Sequence, residues 1–589
     1  MLALSENRAS ATLGTRRRQP APWQLWLVSA LFLLVIAWPN LRAFAPGDPD
    51  DFMRLDQVRD WLAGQSWWDV RQHRMDPPAG ADMHWSRLVD LPIAACLFLA
   101  RLFVPEPAAS IVAMTMVPLF QLLLAMLLLR AVMRALGAGE GAVLAASALP
   151  LAFPLLLDAF MPLRIDHHGW QALAALGATL FALRGGWRNA LAAGAVAATG
   201  LTVSLESLPF AALLGGVFAI RFVRAGDRSF EGYLAGLALT APLLFLATRP
   251  VAGLALAQCD RMSWPHFIGF AGAAAAAFAG RMAPGQNATI GRAAALVPVT
   301  TVAGLAIVLP LGACAVDPFA GMDPVLKAEW LDRVAEGLPV WTQTPSAAAM
   351  LVWTIVIMLA GARLALQRPA SVAVHSRWTE LGLLAFGMAA MSLLVMRAGL
   401  LAQLLAVPFA ALLVANYWPC ARAIRNAVPR VVATLGCVLL ATPLMASAVA
   451  KPFDGLSAAP TAAPTIAGDC DLSRLASLPN AHVFAPFDMG PEILARTGHT
   501  VVAGPYHRNQ AAMRRVFDAF AGPEGNARAI VEGDHARYLV ACLSGDRLGT
   551  FARYRPGNLA DELQVGRAPE WLEPVPGFEQ GALRVWRVI

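Results

Sequence analysis

Apolar runs long enough to cross a bilayer recur along most of the chain, at 23–38, 108–133, 141–160, 169–184, 190–205, 208–223, 230–248, 264–281, 294–312, 346–362, 379–395, 398–416 and 431–450. No other feature restricts the fold as much. Inside hydrocarbon every backbone N–H and C=O must be satisfied internally, so apolar segments of this length become helices. Of 589 residues 57% are hydrophobic and 14% charged, against about 25% charged in a soluble protein. The expectation is a polytopic α-helical membrane protein. The formal charge of +7 comes almost wholly from arginines scattered between apolar runs. No basic stripe interleaves with aromatics, so the membrane is an expected partner and nucleic acid is not.

A shorter run, 89–104, is bounded by Asp90 and Pro92 on one side and Pro105 and Pro107 on the other. Whether it crosses sets the sidedness of everything after it. With Arg16–Arg18 in the cytoplasm and 89–104 re-entrant or interfacial, every later arginine cluster falls inside, from Arg130 and Arg134 to Arg422, Arg425 and Arg430, as the positive-inside rule requires. About 13 spans follow, with the N-terminus in and the C-terminus out. The expected division is a cytoplasmic tail at 1–22, a transmembrane domain at 23–450 with outer loops at 39–107 and 313–345, and an extracytoplasmic domain at 451–589. Beyond the Ala/Pro-rich linker 457–468, HVFAPF and RYLVACL read as strands and NQAAMRRVFDAFAG as an amphipathic helix, giving a small α/β domain. Cys470 and Cys542 both fall in it; they form one bridge if it is extracytoplasmic, or are two buried thiols.

This topology gathers the residues suited to chemistry on one face. GDPDDFMR places Asp48, Asp50 and Asp51 where the chain leaves the first span, and clustered carboxylates there suit a hard divalent cation. LRIDHHGWQ adds Asp166, His167 and His168, a carboxylate–imidazole ligand set; alternatively Asp166 pairs with Arg164 and the histidines bond to backbone. Glu206 lies on the same face. Glu336 precedes Gly337 and Pro339, where a helical stretch gives way to a mobile loop. Arg397 is stranded between two outer helix ends in VMRAGLL, where a lipid phosphate suits its fork.

Together these stretches resemble the catalytic subunit of oligosaccharyltransferase, in the glycosyltransferase C superfamily. Asp48-Pro49 with Arg54 is similar to that family's first-loop FDP-type motif, followed here by Trp67-Trp68-Asp69 and Asp76-Pro77-Pro78-Ala79-Gly80. RIDHH matches its second acidic loop, with His168 where that family has a glutamate. RVAE places Glu336 at the family's mobile-loop glutamate, and MRAGLLAQLL resembles the helix whose arginine meets the donor pyrophosphate. The resemblance departs at the acceptor motif: APFDMGPE keeps Asp488 and Gly490 but has no tryptophan pair. His507 and Arg508 then line a pocket, or form a structural turn after Pro505.

The resemblance implies a metal-dependent inverting glycosyltransferase in a bacterial inner membrane, with its site and C-terminus on the periplasmic side. Its donor is a polyprenyl phosphate- or pyrophosphate-linked sugar and its acceptor a glycan, lipid or protein. Asp48, Asp166 and His168 hold Mg²⁺ or Mn²⁺; Asp48 and Glu336 are the catalytic candidates and Arg397 binds the donor phosphate. Asp51, Arg54, His167, Glu206, Asp488, His507 and Arg508 are candidates for substrate contact. Two alternatives stand beside this: a transferase moving one sugar from a polyprenyl monophosphate onto a lipid or polysaccharide, and a non-enzymatic lipid-sugar transporter or scaffold.

Overall fold

The computed structural model describes residues 20–456, 470–544 and 547–589. The arginines at 16–18 and the linker at 457–468 lie outside the described residues. Among the described residues seven helices are individually long and apolar enough to cross a bilayer: Pro22–Ala43, Ala108–Ala135, Leu205–Ala225, Ser229–Thr248, Thr289–Ala315, Pro345–Gln367 and Met396–Arg422. The pair Ala427–Leu440 and Leu444–Gly455, bent by 91°, makes an eighth if it is one span. The other apolar runs are shorter or interrupted. His168–Arg184, Trp187–Val203 and Trp264–Gly280 have 17 residues each, about 26 Å of helix. Pro150 and Pro154 split the 141–160 run into Glu140–Ala148 and Pro154–Ala159. The sequence count of about 13 therefore includes these shorter and broken helices.

The Met396–Arg422 helix is the axis of the bundle: 83% of its apolar window is buried, against 17–50% for the other six. The helices Trp187–Val203 and Ser229–Thr248 touch backbone to backbone. A Cβ on Gly194 would sit 2.1 Å from Tyr233 O, and one on Gly236 2.2 Å from Leu191 O. Small residues allow this approach where burial from water contributes little between spans.

Residues 87–101 form a 15-residue helix, about 22 Å long and too short for a core of roughly 30 Å. Val89, Ile93, Ala94 and Leu97 are buried, whereas Leu91, Phe98 and Leu99 are exposed. Its first turn carries a buried charge triad: Asp90 accepts from Arg54 Nη1 at 2.9 Å and from Arg87 Nη1 at 3.0 Å. That triad ties it to the helix Pro49–Leu62, which begins just after Asp48.

The C-terminal part is the expected α/β unit, a five-stranded sheet in the order Thr500–Val501, His482–Phe484, Tyr538–Cys542, Leu583–Val588, Leu572–Pro574. The first three strands are parallel and the last two antiparallel to their neighbours. Tyr538–Cys542 is buried at every residue, which a strand covered on both faces requires. The helix Gln510–Ala521 buries Met513, Val516, Phe517 and Phe520 on one side. Cys470 and Cys542 form a disulfide, and so do Cys259 and Cys314; the second pairing carries no signal in the sequence.

The loop after the first span candidate continues this sheet. Val501 N donates to Arg74 O at 2.9 Å and Asp76 N donates to Val501 O at 2.9 Å. Arg515 Nη2 reaches Asp76 Oδ1 at 2.6 Å, and Arg59 Nη1 reaches Ala495 O at 2.7 Å. The C-terminal domain is thereby fixed over the end of the bundle that carries Asp48.

Candidate active site

Asp48 is the N-cap of the Pro49–Leu62 helix, its Oδ1 accepting from Asp50 N at 3.0 Å with Pro49 in the first helical position. This cap geometry is what Asp-Pro favours, and it leaves Oδ2 free to face inward. Asp51, fully buried, accepts from Ile165 N at 2.7 Å and Asp166 N at 3.1 Å. It clamps the second acidic loop against the first. Asp51→Ala would leave two buried N–H groups unmet, at about 1–3 kcal/mol each. A fall in melting temperature of the purified chain together with lost activity is the expected result, and Asp51→Asn should recover part of both.

At the junction sits Arg164. Its Nη1 lies 2.8 Å from Asp48 Oδ2 and 3.3 Å from Asp51 Oδ2; its Nη2 lies 3.1 Å from Asp166 Oδ2 and 3.7 Å from Asp158 Oδ2. Asp48 and Asp166 are thus brought together through a guanidinium between them. His168 Nε2 lies 3.5 Å from Asp166 Oδ2, and its backbone N donates to Asp166 Oδ1 at 3.0 Å.

The electrostatics of this cluster are lopsided. Burial, with Asp48 and Asp166 beside it, pushes Asp50 up to about 7. Burial also raises Asp51 well above the usual carboxylate range, although Arg164 opposes it. Burial acts against the His168 imidazolium, yet Asp166, Glu206 and Glu336 hold it up to about 9. Asp166 is held low despite burial by His168, Arg164 and His167. Four carboxylates facing Arg164, with Asp50 beside them, make a centre short of positive charge. Ligand atoms of Asp166, His167 and His168, one carboxylate and two imidazoles, lie within 4.8 Å of one another, a donor set that suits a divalent cation; Asp48 stands outside that group, on the far side of Arg164. The residues present fit the cation that the sequence implies.

A second network lies beside the first. Arg397, in the break between helices Val372–Leu394 and Gly399–Arg422, donates through Nη1 to Glu206 Oε1 and through Nε to Glu336 Oε2 at 3.2 Å. His167 Nε2 lies 3.5 Å from Glu206 Oε2. Glu336 reaches this place because the 313–345 segment is docked at both ends. Met322 and Leu326 are buried in the C-terminal core, and Met396 N donates to Leu338 O at 3.1 Å. The segment runs as one short helix, Pro324–Glu329, and a series of single turns.

Both networks open on one cavity of about 620 Å³. Asp48, His167, His168, Glu206, Glu336, Arg397, Asp488 and His507 all line it, so residues spread over most of the chain converge. Asp488 projects from the turn Phe487–Met489, and enclosure raises its carboxyl above the usual range. Three residues expected to touch substrate do something else. Asp51 clamps the second loop. Arg54, one turn beyond Asp50, is buried on Asp90 with its guanidinium 4.5 Å from the Trp85 ring centroid, and Trp85 lines the cavity in its stead. Arg508 holds Asp260 through Nε at 2.6 Å and Nη2 at 2.7 Å, and also reaches Asp82. It binds the C-terminal domain to two loops of the helical part.

Sequence reasoning missed Arg164, which it had only as an alternative partner for Asp166, and missed Asp158, His84, Tyr506 and Asp260. His84, Tyr506 and Asp260 give a weak signal because each lies between helices beside a partner distant in sequence; Asp158 lies in the short helix Pro154–Ala159, six positions before Arg164.

No protein-family model and no curated protein sequence matches the chain. Solved structures do. The archaeal oligosaccharyltransferase AglB from Archaeoglobus fulgidus, in complex with an inhibitory peptide and a dolichol-phosphate, aligns with a TM-score of 0.62 at 15% identity over 94% of this chain and 72% of that one. The same enzyme tethered to an acceptor peptide containing the NVT sequon gives 0.62 at 16%, over 92% and 72%. Its complex with Zn and sulfate gives 0.58 at 16%, over 91% and 70%. The chain has the oligosaccharyltransferase-like, glycosyltransferase C fold that the sequence motifs resemble.

Proposed function

We propose that this protein is a membrane glycosyltransferase that moves a glycan from a polyprenyl phosphate- or pyrophosphate-linked donor to an acceptor. The observation that carries this reading is the cavity that both networks share. One wall is an anionic centre suited to a cation, another is an arginine suited to a phosphate, and a third comes from the C-terminal domain. Asp48, Asp166 and His168 would hold Mg²⁺ or Mn²⁺, with His168 neutral. Bound there, such an ion neutralises charge on the leaving phosphate.

The chain's own groups do the rest. Arg397 accepts the donor phosphate in its planar fork, exchanging Glu206 and Glu336 for it. Glu336, released, orients the acceptor nucleophile and takes its proton as the nucleophile bonds to the anomeric carbon. The bond from that carbon to the phosphate oxygen breaks on the opposite face, so configuration inverts. Arg164 and Asp51 hold the acidic loops in register throughout. The Archaeoglobus fulgidus oligosaccharyltransferase structures hold dolichol-phosphate, an acceptor peptide, and Zn with sulfate, ligands of the chemical kinds this cavity would take, and they support the reading.

The face is inferred from two observations. The positive-inside pattern favours this end outside, and two disulfides, Cys259–Cys314 at the cavity and Cys470–Cys542 in the C-terminal domain, suit an oxidising compartment. In a bacterial inner membrane that is the periplasmic side. A second reading, transfer of a single sugar from a polyprenyl monophosphate to a lipid or polysaccharide, is favoured by Asp488 standing without a tryptophan pair.

The test is transfer from a lipid-linked donor by purified D48A, D166A and E336A, with and without a chelator. All three should lose at least about 100-fold in rate, and chelation should silence the wild type. Full activity in D48A and E336A overturns the assignment.

A further inference from the structure

The cavity wall opposite the acidic centre is basic, and its charges are unevenly used. Asp260 is already committed, to Arg508 by two hydrogen bonds and to His507 Nε2 at 2.7 Å. His84 stands next to His507, ring centroids 4.8 Å apart, and burial with that neighbour keeps it neutral. Ligand atoms of His84, Asp260 and His507 lie within 4.8 Å of one another, with Arg508 on the carboxylate as Arg164 is on Asp166. Arg249 spends its guanidinium on the backbone carbonyls of His84 and Trp85.

Arg261 is different. It lines the cavity, its Nε is buried without a partner, and no carboxylate among the described residues is hydrogen-bonded to it. Burial and the neighbouring Arg508 depress it to about 10, the mark of an under-compensated cation. Its loop is built to hold it. Ser263 Oγ donates to Gln258 O at 2.9 Å and accepts from Gln258 N at 3.1 Å, and the Cys259–Cys314 disulfide fastens the same loop to the start of the 313–345 segment. Arg397 and Arg164 each have at least two carboxylates on them; among the described residues Arg261 is paired with none, and only Asp82 and Asp260, already held by Arg508, act on it from a distance.

We propose that Arg261 forms a second anion subsite in this cavity, taking a carboxylate or phosphate of the substrate other than the phosphate given to Arg397. The inference rests on the donor reading above and narrows its substrate to one carrying two anionic groups. The anion has two possible sources: the second phosphate of a pyrophosphate-linked donor, or an acidic sugar. A planar guanidinium with a free edge in a dehydrated wall recognises either.

The experiment measures binding to the full-length protein in detergent, using four probes: a polyprenyl monophosphate, the matching pyrophosphate, glucuronate and glucose. Wild type, R261Q, R261K and R397Q are compared. If the anion is the second phosphate, R261Q weakens pyrophosphate by about tenfold and leaves the monophosphate alone. If it is an acidic sugar, R261Q weakens glucuronate and not glucose. R261K should keep most of either effect, which separates charge from damage to the fold. R261Q binding all four probes like wild type overturns the proposal. So does a wild type that prefers neither pyrophosphate over monophosphate nor glucuronate over glucose. Failure of the donor reading looks different: no lipid phosphate binds and R397Q changes nothing, while the glucuronate comparison still decides the role of Arg261.

Discussion

Arg397→Gln is expected to lower turnover with a lipid-linked donor by about 10²–10³-fold, the usual loss when one preorganised donor to developing negative charge is removed. The reason is geometric. The side chain sits in a helix break at the cavity wall, gripped by Glu206 and Glu336, so its fork is oriented before the substrate arrives. Gln keeps the length of the stem and loses both the charge and the paired donors. Arg397→Lys keeps the charge without the fork and should fall between the two. The protein should still fold, because Arg397, Glu206 and Glu336 are each about a third to a half exposed and water can replace the lost partner. A melting curve close to wild type beside a turnover loss identifies the effect as chemical. Turnover within twofold of wild type would remove Arg397 from the phosphate.

The second large effect is on stability. Asp90→Ala should cost about 3–5 kcal/mol, since it strands the Arg54 and Arg87 guanidiniums in a site where each is 1% exposed. Arg87 retains carbonyls of Trp67 and Asp69, and Arg54 the carbonyl of Ser86, but no carbonyl supplies a full negative charge. Asp90→Asn keeps one acceptor oxygen and should be milder. Denaturant unfolding of the purified chain measures both. Because Arg54 lies one turn beyond Asp50, activity should fall with stability as the helix that carries Asp48 loses its anchor. A D90A protein as stable as wild type would show that the triad is solvated.

Much of this site is legible in one dimension because its residues sit at ends of apolar runs, where the bilayer forces a pattern. Asp48, Asp166 and Arg397 are picked out by that rule, Glu336 by the turn residues that follow it, and the run near 89–104 forms a helix of only 15 residues. What escapes is pairing. Asp51 meets Ile165 across 114 positions, and nothing in DPDD says which of its aspartates faces a cavity and which faces a loop. Arg54 is misassigned for a related reason. A spacing of four from Asp50 puts it on that residue's face of the helix but a turn deeper, within reach of Asp90 rather than substrate. Cys259 and Cys314 lie in different loops, and no spacing marks them as partners.

The edge-strand contact between Arg74–Asp76 and Val501, with Arg508 on Asp82, has a consequence for how the molecule is made. The two halves of the cavity are 426 residues apart on the chain. At about 5–20 residues per second, the ribosome needs roughly 20–90 s to go from one to the other. For that interval the acidic loops stand uncovered and without their lid. Every nascent copy has an open centre until the residues from 470 onward have emerged and closed over it.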